Sequence, residues 1–222
     1  MLNIEHQTQN IQLQTLPVME AFYSLQGEGF HQGKAAYFIR LGGCDVGCVW
    51  CDVKESWEIS DHPQKTVPQI VEDANTVVVD RHRGSDRLKQ SICVITGGEP
   101  LMHNLTTLTA ELRQAGFQTH IETSGAYPLT GYWDWICVSP KKFKAPLNEV
   151  LRQASELKVV VYNKSDFKWA EENAMYVSNE CQLYLQPEWS KAVVVTPLII
   201  DYIKLHPRWQ LSLQMHKYIN IP

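Results

Sequence analysis

The stretch Ala35-Ala36-Tyr37-Phe38-Ile39-Arg40-Leu41-Gly42-Gly43-Cys44-Asp45-Val46-Gly47-Cys48-Val49-Trp50-Cys51 decides how this chain is read. Its first seven residues are mostly apolar and aromatic, the composition of a strand. Alternation of faces puts Phe38 and Arg40 on one side, with Tyr37, Ile39 and Leu41 on the other. The strand runs straight into cysteines spaced C-x3-C-x2-C. Three thiolates at that spacing hold three corners of an iron–sulfur cube and leave the fourth iron open, whereas ferredoxin-type clusters take four thiolates. A closed zinc site is the alternative, but it wants four ligands and no second C-x-x-C pair exists to help supply them. Arg40 on a core strand needs an anion, and two sources stay open: a neighbouring Asp or Glu, or an anionic ligand. Trp50 either packs in the core or lies beside a bound nucleoside.

The totals narrow the classes. At 222 residues with a formal charge of −4, the chain suits a single domain, 1–222, with 1–20 as an N-terminal extension. Lys and Arg form no stripe, so direct nucleic-acid binding has no electrostatic support. No apolar run is long enough to span a bilayer, and the Gln-rich start lacks an apolar signal core, so a soluble, cytoplasmic protein is expected. Clustered cysteines in such a chain bind metal or do redox work rather than build disulfides. Cys93, Cys137 and Cys181 stand alone in apolar runs and read as small buried hydrophobes.

Away from the cysteine loop, short apolar strands alternate with helices. Strands are expected at Ser91–Ile95, Phe117–Ile121, Trp135–Val138, Leu157–Tyr162, Cys181–Leu185 and Gln210–Leu213. Helices are expected at Thr66–Ala74, opened by a Thr66/Gln69 capping box, at Asn104–Ala115 with Gly116 as its stop, around Ser165–Ala174, and from a Thr196 cap through Pro197 to about Lys204. Val77–Val79 is a short β-branched run, and Asp80–Gln90 reads as a charged connector. The order implies an α/β fold with a mostly parallel sheet. The polar, glycine-rich clusters all fall just after strands: Thr96-Gly97-Gly98-Glu99-Pro100, Glu122-Thr123-Ser124-Gly125, Ser139-Pro140-Lys141 and Gln186-Pro187. In α/β sheets and barrels, sites assemble at those strand ends. Leu25-Gln26-Gly27-Glu28-Gly29 precedes the first of these strands and reads either as a surface turn or as a ligand loop.

The three cysteines followed by Gly-Gly-Glu-Pro after the next strand resemble the radical S-adenosylmethionine superfamily. Within it, the chain resembles the 7-carboxy-7-deazaguanine synthase family over most of residues 20–222, on the clusters above together with Arg40 and His216-Lys217-Tyr218. The resemblance implies an abbreviated partial (β/α)6 barrel, acting as a homodimer. It implies a lyase of queuosine and 7-deazapurine biosynthesis that contracts 6-carboxy-5,6,7,8-tetrahydropterin to 7-carboxy-7-deazaguanine and releases ammonia.

By the same resemblance, Cys44, Cys48 and Cys51 hold a [4Fe–4S] cluster whose non-cysteine iron is chelated by S-adenosylmethionine. Trp50, Cys51, Asp52, Gly97, Gly98, Glu99, Thr123, Ser124, Ser139, Pro140, Lys141 and Gln186 contact that cofactor. Leu25, Gln26, Gly27, Glu28, Arg40, Thr96, His216 and Pro222 contact the pterin, Glu28 accepting from its ring N–H and amino group. No side chain is implied as the hydrogen abstractor, because the deoxyadenosyl radical has that role. An electron donor such as flavodoxin or ferredoxin is implied. The family's Mg2+ ligand, a threonine after Cys-Asp, falls here on Val53, which offers no side-chain oxygen. Two rivals predict otherwise: a glycyl-radical-enzyme activase, which has no use for Gln26-Gly27-Glu28-Gly29 or His216-Lys217, and a zinc-stabilised binding module.

Overall fold

The computed structural model of the protein describes residues 13–81 and 91–222. The strand expected at Ala35–Leu41 forms with those bounds as β2. It has an antiparallel partner before it, β1 (Thr15–Leu25), which sets Leu25 opposite Ala35 and Val18 opposite Leu41. The expected extension over 1–20 is corrected accordingly: residues 1–12 lie outside the described ones, and from Thr15 the chain is sheet, with Leu16 and Val18 buried. Pro17 hid this strand in the sequence, since proline argues against a central strand. It sits near the sheet margin, opposite Gln64 of the short β3 (Gln64–Thr66).

Among the described residues one sheet of nine strands forms, in the order β3-β1-β2-β4-β5-β6-β7-β8-β9. From β2 onward every neighbouring pair is parallel, through β4 (Ile92–Gly97), β5 (Gln118–Thr123), β6 (Trp135–Val138), β7 (Glu156–Val161), β8 (Gln182–Pro187) and β9 (Trp209–Leu211). The crossovers are unequal. Full helices α1 (Val67–Arg81), α2 (Thr106–Gln114), α4 (Ser165–Ala174) and α5 (Ala192–Leu205) cover some strands. Between β6 and β7 there is only the one-turn α3 (Asn148–Leu151), and a short α6 (Met215–Ile219) follows β9. The class is α/β with a mostly parallel sheet and reduced helices, as expected. The outward faces of the strands, with Ile39, Ile95, Ile121, Leu157 and Leu185, pack on Ile70, Leu108, Leu112, Ala170 and Ile199 of the helices. A smaller apolar plug of Ala36, Phe38, Ile92 and Val94 lies on the inner face, with Phe22 against it.

Two local expectations are corrected. The helix expected at Thr66–Ala74 runs on to Arg81 as α1 and takes in the β-branched run Val77–Val79. Thr66 and Gln69 exchange hydrogen bonds at 3.0 and 3.4 Å at its start, and Ile70, Ala74 and Val78 repeat at helical spacing and are buried. Helix α5 begins a turn before Pro197 rather than at a Thr196 cap. The Glu188 carboxylate accepts from the N–H groups of Ser190 and Lys191 and starts the turn that leads into α5. The connector expected at Asp80–Gln90 falls mostly on residues outside the described ones. Among the described residues no helix is long and apolar enough to cross a membrane.

Candidate active site

The strand ends converge on one cavity of about 650 Å³. Its wall takes in Leu25 to Glu28 from the β1–β2 loop, Arg40 of β2, the cysteine loop, Thr96 to Glu99 after β4, Thr123 and Ser124 after β5, Ser139 and Lys141 after β6, Gln186 of β8, and His216 and Pro222 from the C-terminal segment. Every side chain expected to contact cofactor or substrate lines it, apart from Pro140, which is buried behind the wall between Ser139 and Lys141.

The cysteine loop is seated by backbone contacts. Gly98 N–H donates to the Leu41 carbonyl at 2.9 Å, and Glu99 N–H to the Gly43 carbonyl at 2.8 Å. Gly97 holds φ +122°, and a Cβ there would lie 2.3 Å from the Leu41 oxygen. A Cβ on Gly98 would meet the Gly43 oxygen at 2.2 Å and Cys44 Cβ at 3.0 Å. The glycine pair is therefore required because the end of β4 presses on the start of the cysteine loop.

Glu99 does a second fastening job. Fully buried, its carboxylate accepts from Thr123 Oγ1 at 2.6 Å, from Ser124 N–H at 2.7 Å and from Leu101 N–H at 3.0 Å, with Ser124 Oγ also donating. It locks the ends of β4 and β5 together. Thr123 and Ser124 spend their hydroxyl protons on it, while their oxygens accept from Gly125 N–H at 2.9 Å and Ala126 N–H at 3.4 Å.

The cysteines meet the requirements of a cube. Cys44, Cys48 and Cys51 all line the cavity. Burial pushes the Cys44 thiol up and the Cys48 thiol to about 11, while the nearby Lys141 ammonium pulls Cys48 back. Val53 N–H donates to Cys51 Sγ at 3.4 Å, the kind of contact that supports a bound thiolate. Among the described residues no three His, Cys, Asp or Glu side chains could hold a single metal ion. Three thiols on one loop at the cavity wall are the donor set that three corners of a cube take. Lys141 Nζ bonds the Ser139 carbonyl at 2.8 Å and Oγ at 2.6 Å, and stands 5.6 Å from the centre of the Trp50 ring. Trp50 is half-buried, edge-on to the exposed Phe143, so it belongs to the loop surface rather than the core.

Arg40 has both partners that the sequence left open. Its guanidinium is 2.5 Å from Glu20 Oε1, and the side chain, 28% exposed, also faces the cavity, lying over the Phe22 ring. On the same cavity wall Glu28 Oε2 meets the Lys158 ammonium at 2.5 Å, and Gln214 Nε2 donates to Glu28 Oε1 at 3.1 Å. Gln26 donates to Glu122 Oε1 at 2.9 Å and accepts from Glu28 N–H at 3.1 Å. Burial pulls the His216 imidazole down, and its ring packs so close to Gly27 that a Cβ there would be 2.3 Å from Nδ1. The C-terminal segment is tied down by Met215 N–H to the Gly27 carbonyl, by Lys217 to Asp52 at 2.6 Å, and by Ser24 Oγ to the Pro222 carbonyl at 3.3 Å.

Sequence reasoning missed Lys158, Gln214 and the role of Glu122. Lys158 left a signal: it is the charge that interrupts the apolar run Leu157–Val161, whose other members alternate between core and cavity faces. Gln214 left none, because its partner lies across the whole chain.

No family model matches the chain. It is 54% identical over 207 residues to 7-carboxy-7-deazaguanine synthase of Flavobacterium psychrophilum, covering 93% of each chain. It is 48% identical over 205 residues to the Synechocystis enzyme of the same name, covering 92% of this chain and 93% of that one. It is 36% identical over 223 residues to the Escherichia coli K12 enzyme of that name, covering 92% and 98%. The crystal structure of QueE from Escherichia coli superposes with a TM-score of 0.73 at 32% identity, over 91% of this chain and 95% of that one.

Proposed function

The chain belongs to the 7-carboxy-7-deazaguanine synthase family, and from that premise we propose how its own cavity serves the reaction. The protein contracts the ring of 6-carboxy-5,6,7,8-tetrahydropterin to 7-carboxy-7-deazaguanine and releases ammonia. The observation that carries this is a single cavity in which a three-thiol loop faces a wall of acceptors, Gln26 and Glu28, with the Arg40 guanidinium beside them. The Glu28 carboxylate suits the donor-rich edge of a pterin, and Arg40 suits its carboxylate. Cys44, Cys48 and Cys51 would hold a [4Fe–4S] cluster, leaving one iron for S-adenosylmethionine. When bound, these groups supply the radical chemistry that removes the pterin C6 hydrogen.

The protein's own share is placement. The Gly97–Gly98 backbone sets the height of the cysteine loop, Glu99 fixes Thr123 and Ser124, and Lys141 lays positive charge beside Cys48. The C-terminal segment, through Gln214, His216 and Lys217, narrows the mouth over the substrate side. Mg2+ would bind through oxygens other than a Val53 side chain, aided by water. The domain is a single radical S-adenosylmethionine unit in the cytoplasm, and a flavodoxin- or ferredoxin-like protein delivers the electron. The exposed Val193, Val194 and Ile200 on α5 support a homodimer. An activase of glycyl-radical proteins would need no Gln26–Glu28 acceptor wall for a small heterocycle.

The test is anaerobic incubation of the reconstituted, reduced protein with S-adenosylmethionine and the carboxy-tetrahydropterin. Appearance of the deazaguanine acid chromophore is expected. A protein that binds no iron, or leaves the pterin unchanged while cleaving S-adenosylmethionine, overturns the reading.

A further inference from the structure

Three stretches far apart in the chain, Gln26–Glu28, Glu122 and Lys158, close a ring on the cavity wall. Glu28 Oε2 and Glu122 Oε2 flank the Lys158 ammonium at 2.5 and 3.5 Å. Glu122 Oε1 accepts from Gln26, and Gln26 Oε1 accepts from the Glu28 backbone N–H. Lys158 is 3% exposed and Glu28 only 13%, so neither charge is carried by water. A buried ammonium is costly unless it is paired, and this one has carboxylates on two sides. The ring thus holds two carboxylates and one ammonium and presents an excess of one negative charge to the cavity. The proposed reaction requires no ammonium on this wall, because the pterin edge offers donors and wants acceptors.

Resting on that proposed reaction, we propose that Lys158 is a positioning residue for substrate selection: it keeps Glu28 as a fixed carboxylate that accepts from the N–H and amino group of the heterocycle. Without the ammonium, a carboxyl this enclosed and close to Glu122 would take up a proton and present a donor where an acceptor is needed. With it, burial still works against the charge, but the Lys158 ammonium and its hydrogen bond, joined by the nearby His216 and the Gln214 hydrogen bond, together hold Glu28 well below the usual carboxylate range. The titratable groups around Glu28 are Lys158 of β7, Cys137 of β6, Lys141 after β6 and His216 of α6, together with Glu156 of β7, Glu122 and His120 of β5 and His31 of the β1–β2 loop, which line one small cavity with it. Lys158 is the cation in contact with it.

The test reads binding and ionisation, not turnover. The reconstituted protein is titrated with 6-carboxypterin, the fluorescent oxidised relative of the proposed substrate, from about pH 5 to about pH 8. Native binding should show no dependence on Glu28 protonation across that range. Lys158→Met should weaken binding about tenfold or more near neutrality, and the loss should shrink as pH rises. Adding Glu28→Gln to Lys158→Met should abolish the new pH dependence, because the titrating group is gone. A loss in Lys158→Met that is the same at every pH makes Lys158 merely structural and overturns the proposal. If that variant does not fold, 13C NMR of the Glu28 carboxyl in the native protein decides: no titration above about pH 5 is expected, and a midpoint above that overturns it. Failure of the native protein to bind the pterin at all would count against the proposed substrate, while the carboxyl titration still stands or falls separately.

Discussion

At the scale of single residues, the departure at Val53 has a defined consequence. Its backbone is fully engaged, N–H to Cys51 Sγ and carbonyl to both the N–H and Oγ of Ser56, so what reaches the cavity is an isopropyl group. Turnover should respond weakly to Mg2+, and Val53→Thr should strengthen the response. The measurement is rate with and without the ion for both proteins, and an unchanged response in the variant counts against the idea. Gly98 is the second decisive residue. Gly98→Ala forces a methyl into the Gly43 carbonyl, where overpacking costs about 1–3 kcal/mol. Because the clash pushes on the loop that carries Cys44, the iron retained after anaerobic reconstitution should fall along with the melting temperature; full iron retention would show that the loop yields elsewhere. The glycines themselves were legible in the sequence. Their reason was not, because it is a backbone contact between segments more than fifty residues apart.

Among the elements, those whose starts are set by local chemistry were readable, and those set by tertiary contacts were not. Strand β6 and helix α4 have the bounds read from sequence. The Thr66/Gln69 box opens α1, and Thr66→Ala should cost about 1 kcal/mol in denaturant unfolding, with no effect on bound iron. Pro197 misled by the same logic. Proline at a first helical position is a start signal, yet α5 is already a turn old there, started by Glu188 and held by buried Val195 and Ile199 one turn apart. The missing N–H would have bonded the Val193 carbonyl, and Val193 is 91% exposed, so the lost bond falls on the solvent side of the helix. Pro197→Ala restores the bond at the cost of a looser unfolded chain. It should stabilise by about 1 kcal/mol, read from the urea midpoint. A loss of stability would mean that proline's stiffening of the unfolded chain outweighs the restored bond.

For the whole molecule, the seven parallel strands were foreshadowed by the alternation of apolar runs with helices, and the site by the polar clusters after them. Hidden were β1, masked by Pro17, and the charge ring, because nothing in a linear reading pairs Glu28 with Lys158 or Gln214. Hidden too was an aromatic base beneath the site, where the His31 and His120 rings lie 4.6 Å apart at a tilt of 45°, with Trp135 4.5 Å from His31. Burial pushes His120 down to about 3, with the His31 charge adding to it, and His31 down to about 4, with Lys34 adding. Both rings are therefore neutral in the folded protein across the range in which the unfolded chain takes up protons, near pH 6.5. A depressed folded value means stability that is fully present above about pH 6.5 and is lost as pH falls toward about 3. Glu28 adds to this loss below its ordinary carboxylate value, whereas Glu156, raised by burial, works against it by gaining a proton in the folded state. The histidines act first on descending from neutrality. Unfolding stability should therefore drop between pH ~7 and pH ~5, about 2 kcal/mol of it from His120 alone, which is 5% exposed. Replacing the imidazole by a ring of similar size that cannot take up a proton, His120→Phe, should flatten the profile by about that amount while leaving stability near neutrality little changed. A variant whose profile runs parallel to the native one would show that His120 is not the acid-sensitive group.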